Sequence, residues 1–128
     1  NALQYAVGDL SYALDRIENH PLALNFMAEV AQLLHRRDLA IERYKKAIDK
    51  YPQYVVTRLQ FGLFLVAIGS FDDAITVLTE AIKMDPTLPS GYAVLAHAFS
   101  KKGDVEQARV AAQKARELGF NGKLPEGF

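Results

Sequence analysis

The chain has 128 residues, in which 15 lysines and arginines balance 15 aspartates and glutamates, and half of its residues are apolar. This balance provides no overall charge to attract nucleic acid or an anionic membrane, and the apolar content argues against disorder. There is no cysteine, which excludes disulfides and thiolate metal sites. The longest apolar run, between Arg58 and Asp72, is shorter than the roughly 20 residues of a membrane-spanning helix. We therefore expect a soluble globular protein, for which cytoplasm and periplasm both fit.

Helical patterns follow one another along the whole chain. They predict helices at 2–17, 21–35, 38–50, 55–68, 71–84, 89–102 and 105–118. As the period described below shows, these helices form repeating units of two helices each. The first helix, within residues 1–20, corresponds to the second helix of such a unit. The chain also starts at Asn1 rather than at a methionine. We therefore expect a fragment or processed chain whose parent continues upstream. Complete units follow at 21–54, 55–88 and 89–122, and a tail at 123–128.

Alanines recur with a period of 34 residues, and this period defines the units. One series is Ala6, Ala40, Ala74 and Ala108, and a second series, seven residues later, is Ala13, Ala47, Ala81 and Ala115. A residue between the two members of each pair completes one helical face: Leu10, Tyr44, Leu78 or Ala112. Such a face predicts close packing against another helix, and the fixed period indicates a repeat array.

Turn residues divide each unit into two helices. Gly69 and Gly103 are predicted to end helices in the left-handed conformation, and Ser70 and Asp104 to cap the helices that follow. Prolines 52 and 86 follow the second helices of their units, which they cannot extend.

These positions resemble the tetratricopeptide repeat family. The unit that begins at Val55 matches it through Gly62, Gly69, Ala74, Ala81 and Pro86. The other two match through Ala28, Ala40, Tyr44, Ala47 and Pro52, and through Tyr92, Leu95, Ala96, Phe99, Gly103, Ala108 and Ala115. Departures from the family pattern are Leu24, Arg58, His35 and Phe120. The resemblance implies an all-α protein, a right-handed superhelix of antiparallel helix pairs with about seven helices.

The resemblance also implies that the first helix of each unit lines a concave groove. We call the residues at its groove positions the first-helix groove: Leu22, Asn25, Glu29, Gln32, Val56, Leu59, Leu63, Val66, Ser90, Ala93, His97 and Ser100. The middle helix, TRLQFGLFLVAIG, is apolar on its groove side as well as on its packing side. A bare apolar surface of this kind marks an interaction site, so we expect something to cover Leu63 and its neighbours.

Several occupants remain open for this surface. A helix or extended segment of another protein is the first, which would make the chain a protein-interaction scaffold without enzymatic activity. Self-association, or docking on the parent chain, is the second, through the groove or through an open N-terminal edge around Val7 and Leu14. A regulatory appendage of an upstream enzyme is the third.

One mode of binding is not expected. Members of the family that capture a chaperone's carboxyl-terminal tail use lysine, asparagine and arginine at set groove positions. The matching positions here hold Asn25, Glu29, Gln60, Ser90 and Val94. This carboxylate clamp is therefore absent, and Glu29 would repel a carboxylate.

The last unit differs from the others at its outer face. Positions that hold Val7, Ile41 and Ile75 earlier hold Arg109, and positions that hold Leu14, Ile48 and Ile82 hold Arg116. A C-terminal capping repeat exposed to water explains both arginines, and an anionic partner is the alternative. The tail NGKLPEGF either folds back, with Phe120 and Phe128 as anchors, or starts a linker.

Catalytic, metal and cofactor sites are not expected. His97 and Ser100 share a helical face but lack a third orienting group, and His20, His35 and His97 lie in separate elements. No glycine-rich phosphate-binding motif is present. The basic segment 35–50 contains interspersed acids, so a solvated outer face is favoured over nucleic-acid binding.

Overall fold

The computed structural model describes residues 1–127, which form seven α-helices and no strand. The helices are α1 (Ala2–Arg16), α2 (Pro21–Leu33), α3 (Asp38–Lys50), α4 (Val55–Ala67), α5 (Phe71–Met84), α6 (Pro89–Lys102) and α7 (Val105–Glu117). The prediction of an all-α fold with seven helices is confirmed, and every predicted end lies within two residues of the observed one. Across residues 1–127, no helix is long and apolar enough to cross a membrane.

The helix ends follow the predicted turn chemistry with one exception. Gly69 and Gly103 have φ of 83° and 94°, and Asp104 Oδ1 accepts from the Gln107 N–H at 3.3 Å. Ser70 precedes α5, but its side chain makes no capping hydrogen bond, so the prediction of a serine cap was wrong in this detail. His35 follows α2 with φ of 55°, a conformation that a side chain disfavours.

The described residues form two compact units, one up to Gln60 and one from Phe61 onward. In the first unit α2 packs against α1 and α3. Its buried side chains include Leu14, Leu24, Met27 and Tyr44. Burial raises the pKa of the Tyr44 hydroxyl, because the ionised form would lose its hydration.

Small residues govern the packing of the second unit, in which α6 packs against α5 and α7. Five alanines of α5 and α7 are fully buried: Ala74, Ala81, Ala108, Ala112 and Ala115. A Cβ added to Gly62 in α4 would lie 2.5 Å from Leu78 Cδ2 in α5, so this glycine is needed for the close approach of the two helices. Lys102 of α6 and Asp72 of α5 form an ion pair at 2.6 Å.

Candidate functional site

The first unit places the first-helix groove residues of α2 at the surface. Leu22, Asn25, Glu29 and Gln32 are all exposed. The Gln60 side-chain amide donates to Pro21 O at 2.8 Å and to Asn25 Oδ1 at 3.3 Å. This bond orients the Asn25 amide, while the Glu29 carboxylate remains exposed. Val56 and Leu59, at the start of α4, are only partly exposed.

The second unit exposes one large apolar side chain of the first-helix groove, that of Leu63. Its relative exposure is 56%, although its neighbours Phe64 and Leu65 are buried at 3% each. Val66, one turn later, is partly exposed. More than half of the Leu63 surface is left uncovered by the described residues, which makes Leu63 a candidate contact residue.

On α6 the predicted groove positions do not behave alike. Ser90 is exposed, and His97 and Ser100 are partly exposed. Ala93 has a relative exposure of only 3%, so it offers little surface for the predicted contact with a partner.

The C-terminal tail folds back on α6. Leu124 packs against a buried cluster of Ala96, Ala111 and Ala112, and the Lys123 carbonyl oxygen lies 3.0 Å from His97 Nε2. The anchor is thus Leu124, which the sequence analysis missed because the tail has no periodicity. Phe120 instead lies against Gly122, and Phe128 is outside the described residues.

The contact with the Lys123 carbonyl oxygen limits the chemistry that His97 can perform. A carbonyl oxygen only accepts, so the imidazole Nε2 carries the hydrogen in this contact and does not act there as a base. The contact leaves a pocket of about 410 Å³ between the tail and α6, bordered by Ser100 and Lys101. Within residues 1–127, no three histidine or acidic side chains are grouped so that they could hold a metal ion.

Carboxylates neutralise part of the basic segment around α3. Arg36 pairs with Asp38 at 2.8 Å, Arg43 with Asp15 at 2.7 Å and Lys50 with Glu18 at 3.2 Å. The hydrogen bond from Arg43 holds the pKa of Asp15 below its usual value. The pKa of Glu18 is lowered too, by a backbone hydrogen bond and by Lys50. These pairs favour an ordinary charged surface over a phosphate-binding one.

The outer side of the last helix pair carries a groove that the sequence analysis did not predict. It has a volume of about 590 Å³. We call it the α6–α7 groove; its apolar lining is Tyr92, Leu95, Phe99, Val110 and Ala111, and its polar lining is Gln107, Arg109, Gln113, Lys114 and Glu117. Arg109 and Arg116 are both exposed, and Arg109 forms an ion pair with Glu106 at 2.5 Å. The side chains beside Arg109, not the arginines alone, therefore define this surface.

The N-terminal edge also differs from its prediction. Leu14 is fully buried and Val7 partly buried, so these two residues do not form an open edge. The exposed face of α1 instead carries Tyr5 at 77% and Tyr12 at 63% relative exposure. The Arg16 guanidinium stacks 4.3 Å from the centroid of the Tyr12 ring.

Paired helices, a fixed 34-residue period and buried alanines at six of its eight repeated alanine positions define an α-helical repeat protein. Residues 57–88 match the family profile described as tetratricopeptide repeat. The chain thus contains a tetratricopeptide repeat at residues 57–88, and repeats of this class act in general as protein-interaction modules.

Relatives with this repeat are larger than the present chain. The small glutamine-rich tetratricopeptide repeat-containing protein 2 of Mycosarcoma maydis is 35% identical over 79 residues, which are 62% of this chain and 22% of the relative. The anaphase-promoting complex subunit cut9 of Schizosaccharomyces pombe is 27% identical over 81 residues, 63% of this chain and 12% of the relative. The chain thus spans about a fifth and an eighth of the length of these relatives.

Solved structures of MamA share the fold. One matches with a TM-score of 0.70 at 21% identity, over 92% of this chain and 68% of MamA. A second MamA crystal structure matches with a TM-score of 0.71 at 21% identity, over 91% of this chain and 63% of its own. At this level of identity the likeness establishes the fold alone.

Proposed function

We propose that this chain is a non-enzymatic interaction module that binds a helix or an extended peptide of a partner protein through the first-helix groove. The observation that carries the proposal is Leu63, whose side chain is 56% exposed in the middle of an apolar helix. Burial of one leucine side chain contributes about 1.5–3 kcal/mol, enough to make it a dominant contact in a small interface.

Polar side chains at the first-helix groove positions of α2 and of α6 give the bound segment its direction. Asn25 and Glu29 on α2 present an amide and a carboxylate, while Ser90 and His97 lie on α6. Their part is mainly in selectivity and orientation, because exposed charged contacts contribute little to affinity. The preferred ligand is a segment with an apolar anchor, and a free terminal carboxylate gains nothing from the exposed Glu29.

The tail supports the same ligand chemistry from within the chain. The segment around Leu124 lies on α6 with one apolar side chain seated and one backbone carbonyl at His97. An extended peptide from a partner would combine the same two features, an aliphatic anchor and a backbone acceptor.

The proposal is tested by selecting peptides from a random display library on the immobilised chain and measuring their affinity by fluorescence anisotropy. We expect Leu63→Asp to weaken the selected peptides at least about tenfold, which corresponds to about 1.4 kcal/mol. Thr79→Asp, which adds the same charge at an exposed site on α5, is the matched control and keeps full affinity. Amidation of the peptide's terminal carboxylate leaves affinity unchanged or improved. Unaltered binding to Leu63→Asp, with its helical circular dichroism intact, would contradict the proposal.

A further inference from the structure

Each unit carries an open surface with apolar side chains outside the first-helix groove. The first is a face of α1 that we call the tyrosine face, made of Tyr5, Gly8, Asp9, Tyr12 and Arg16, which share one side of the helix. All five residues are exposed. The second is the α6–α7 groove. An exposed apolar face on a short helix and an open apolar groove are the two halves of a helix-in-groove interface.

Gly8 gives the first reason to expect another helix on α1. A glycine inside a helix costs about 1 kcal/mol relative to alanine, so a structural benefit is expected in return. Gly62 provides such a benefit, because Leu78 occupies the space beside it. Around Gly8 a Cβ would meet nothing within 4 Å, so no group among residues 1–127 explains the glycine by a close approach. A close approach by a helix from outside the chain would use it.

The repeat register gives a second reason to expect a helix from outside the chain, this time on the α6–α7 groove. Leu95 and Phe99 on α6 stand 34 residues after Phe61 and Leu65, which are buried at 5% and 3%. Leu95 and Phe99 themselves remain partly exposed and line the α6–α7 groove. Val110, at 63% exposure, forms the opposite side of this groove. Positions that are covered in one repeat are thus left open in the last.

Charge favours a second copy of the chain as the occupant. Along the tyrosine face an acid, Asp9, precedes a base, Arg16, by about 10 Å of helix. Along α7 a base, Arg109, precedes an acid, Glu117, by about 12 Å. When the two helices run parallel, Asp9 of one copy comes opposite Arg109 of the next, and Arg16 opposite Glu117.

We propose that α1 of one copy docks by its tyrosine face into the α6–α7 groove of a second copy. Tyr5 and Tyr12 then meet Leu95, Phe99 and Val110, and Gly8 allows the helices to approach closely. Because the two surfaces differ, the contact is head-to-tail, and it continues to a third copy unless the ring closes. This assembly does not use Leu63.

Light scattering after size-exclusion chromatography tests the proposal on the whole chain, over about 1 μM to 1 mM, the range of weak to moderate affinities. We expect the wild-type mass to rise beyond that of one chain. Tyr12→Asp and Gly8→Leu block the tyrosine face, and Val110→Asp blocks the α6–α7 groove. We expect each variant, measured by itself, to stay monomeric. All three sites are exposed, so circular dichroism should show unchanged helix content. Leu63→Asp and Val105→Asp, whose sites are exposed outside both surfaces, are controls that keep the wild-type mass.

A mixing experiment separates this arrangement from other modes of association. An equimolar mixture of Tyr12→Asp and Val110→Asp still contains one intact groove and one intact tyrosine face. We therefore expect it to form a species of two chains and to stop there. A wild-type chain that stays monomeric throughout would overturn the proposal. If Val110→Asp loses assembly while Tyr12→Asp keeps it, the pairing is groove to groove and the proposal is wrong. Assembly that both variants retain would also overturn it.

Discussion

Gly62 in α4 and Leu78 in α5 are so close that a Cβ on the glycine would lie 2.5 Å from Leu78 Cδ2. Leu78 has no exposed surface, so its side chain has little room to retreat. We expect Gly62→Ala to destabilise the chain by about 1–3 kcal/mol through overpacking. Leu78→Ala alone should cost about 2–5 kcal/mol, because it leaves a cavity.

The combination of these two changes provides the sharper check. In the Leu78→Ala background the clash is removed, and alanine is the better helix former by about 1 kcal/mol, so Gly62→Ala should now stabilise the chain. Urea denaturation of the four proteins in this cycle measures the change of sign. Additive effects of the two substitutions would show that the contact does not limit the packing.

At His35 a substitution is expected to stabilise the chain rather than to destabilise it. It stands 34 residues before Gly69 and 68 before Gly103, and all three have positive φ, of 55°, 83° and 94°. Since a side chain is penalised in this conformation, we expect His35→Gly to stabilise the first unit by about 1 kcal/mol. Gly69→Ala and Gly103→Ala should each lower the free energy of unfolding by a similar amount, which thermal denaturation can measure. A loss of stability in His35→Gly would mean that the imidazole makes a compensating contact.

The ion pair between Asp15 and Arg43 predicts a dependence of stability on pH. The pKa of Asp15 is lowered in the folded chain, so its contribution is present above the unfolded pKa, near 3.8, and is lost as the pH falls through the folded value. Between about pH 5 and pH 2 the wild type should therefore lose more stability than Arg43→Gln. Arg37→Gln, at an exposed neighbouring arginine, is the control and should follow the wild type. Parallel pH profiles for wild type and Arg43→Gln would contradict the prediction.

The docked tail can be followed by proteolysis. Trypsin cleaves after Lys123 only when the tail leaves α6, and the seated Leu124 side chain opposes this release. Leu124→Ala should lower the free energy that holds the tail on α6 by about 1 kcal/mol, and it should therefore raise the cleavage rate about fivefold. Mass spectrometry measures the loss of the last five residues, with Asn121→Ser, at an exposed site, as the control. Equal rates in wild type and Leu124→Ala would show that Leu124 does not hold the tail.

The sequence predicted the helices because their signals are local and repeated. Ala74 and Ala81 mark the buried face of α5, and Gly69 and Gly103 mark helix ends by a backbone conformation that few other residues adopt. The period thus places a residue on a face, but exposure depends also on its size and neighbours, as buried Ala93 demonstrates.

The candidate surfaces at the two ends depended on contacts that the period does not encode. Leu124 lies in a segment with no period, so its place on α6 follows only from tertiary packing. Arg109 and Arg116 suggested a polar cap, whereas the apolar groove beside them is formed by Leu95, Phe99 and Val110. The one sequence signal for this groove was Val110, an apolar residue directly after Arg109. Val110 alone does not predict a groove, because the other apolar side chains of the groove come from α6.

Helices that pack together within each unit are consecutive in the chain, α1 with α2, α2 with α3, α5 with α6 and α6 with α7. Few residues separate them, so little chain entropy is lost when each contact closes. Topologies of this kind fold on the microsecond to millisecond scale, far faster than a ribosome adds residues. The helix contacts within the first unit need none of the residues after Gln60, so they can form while the second unit is still being synthesised.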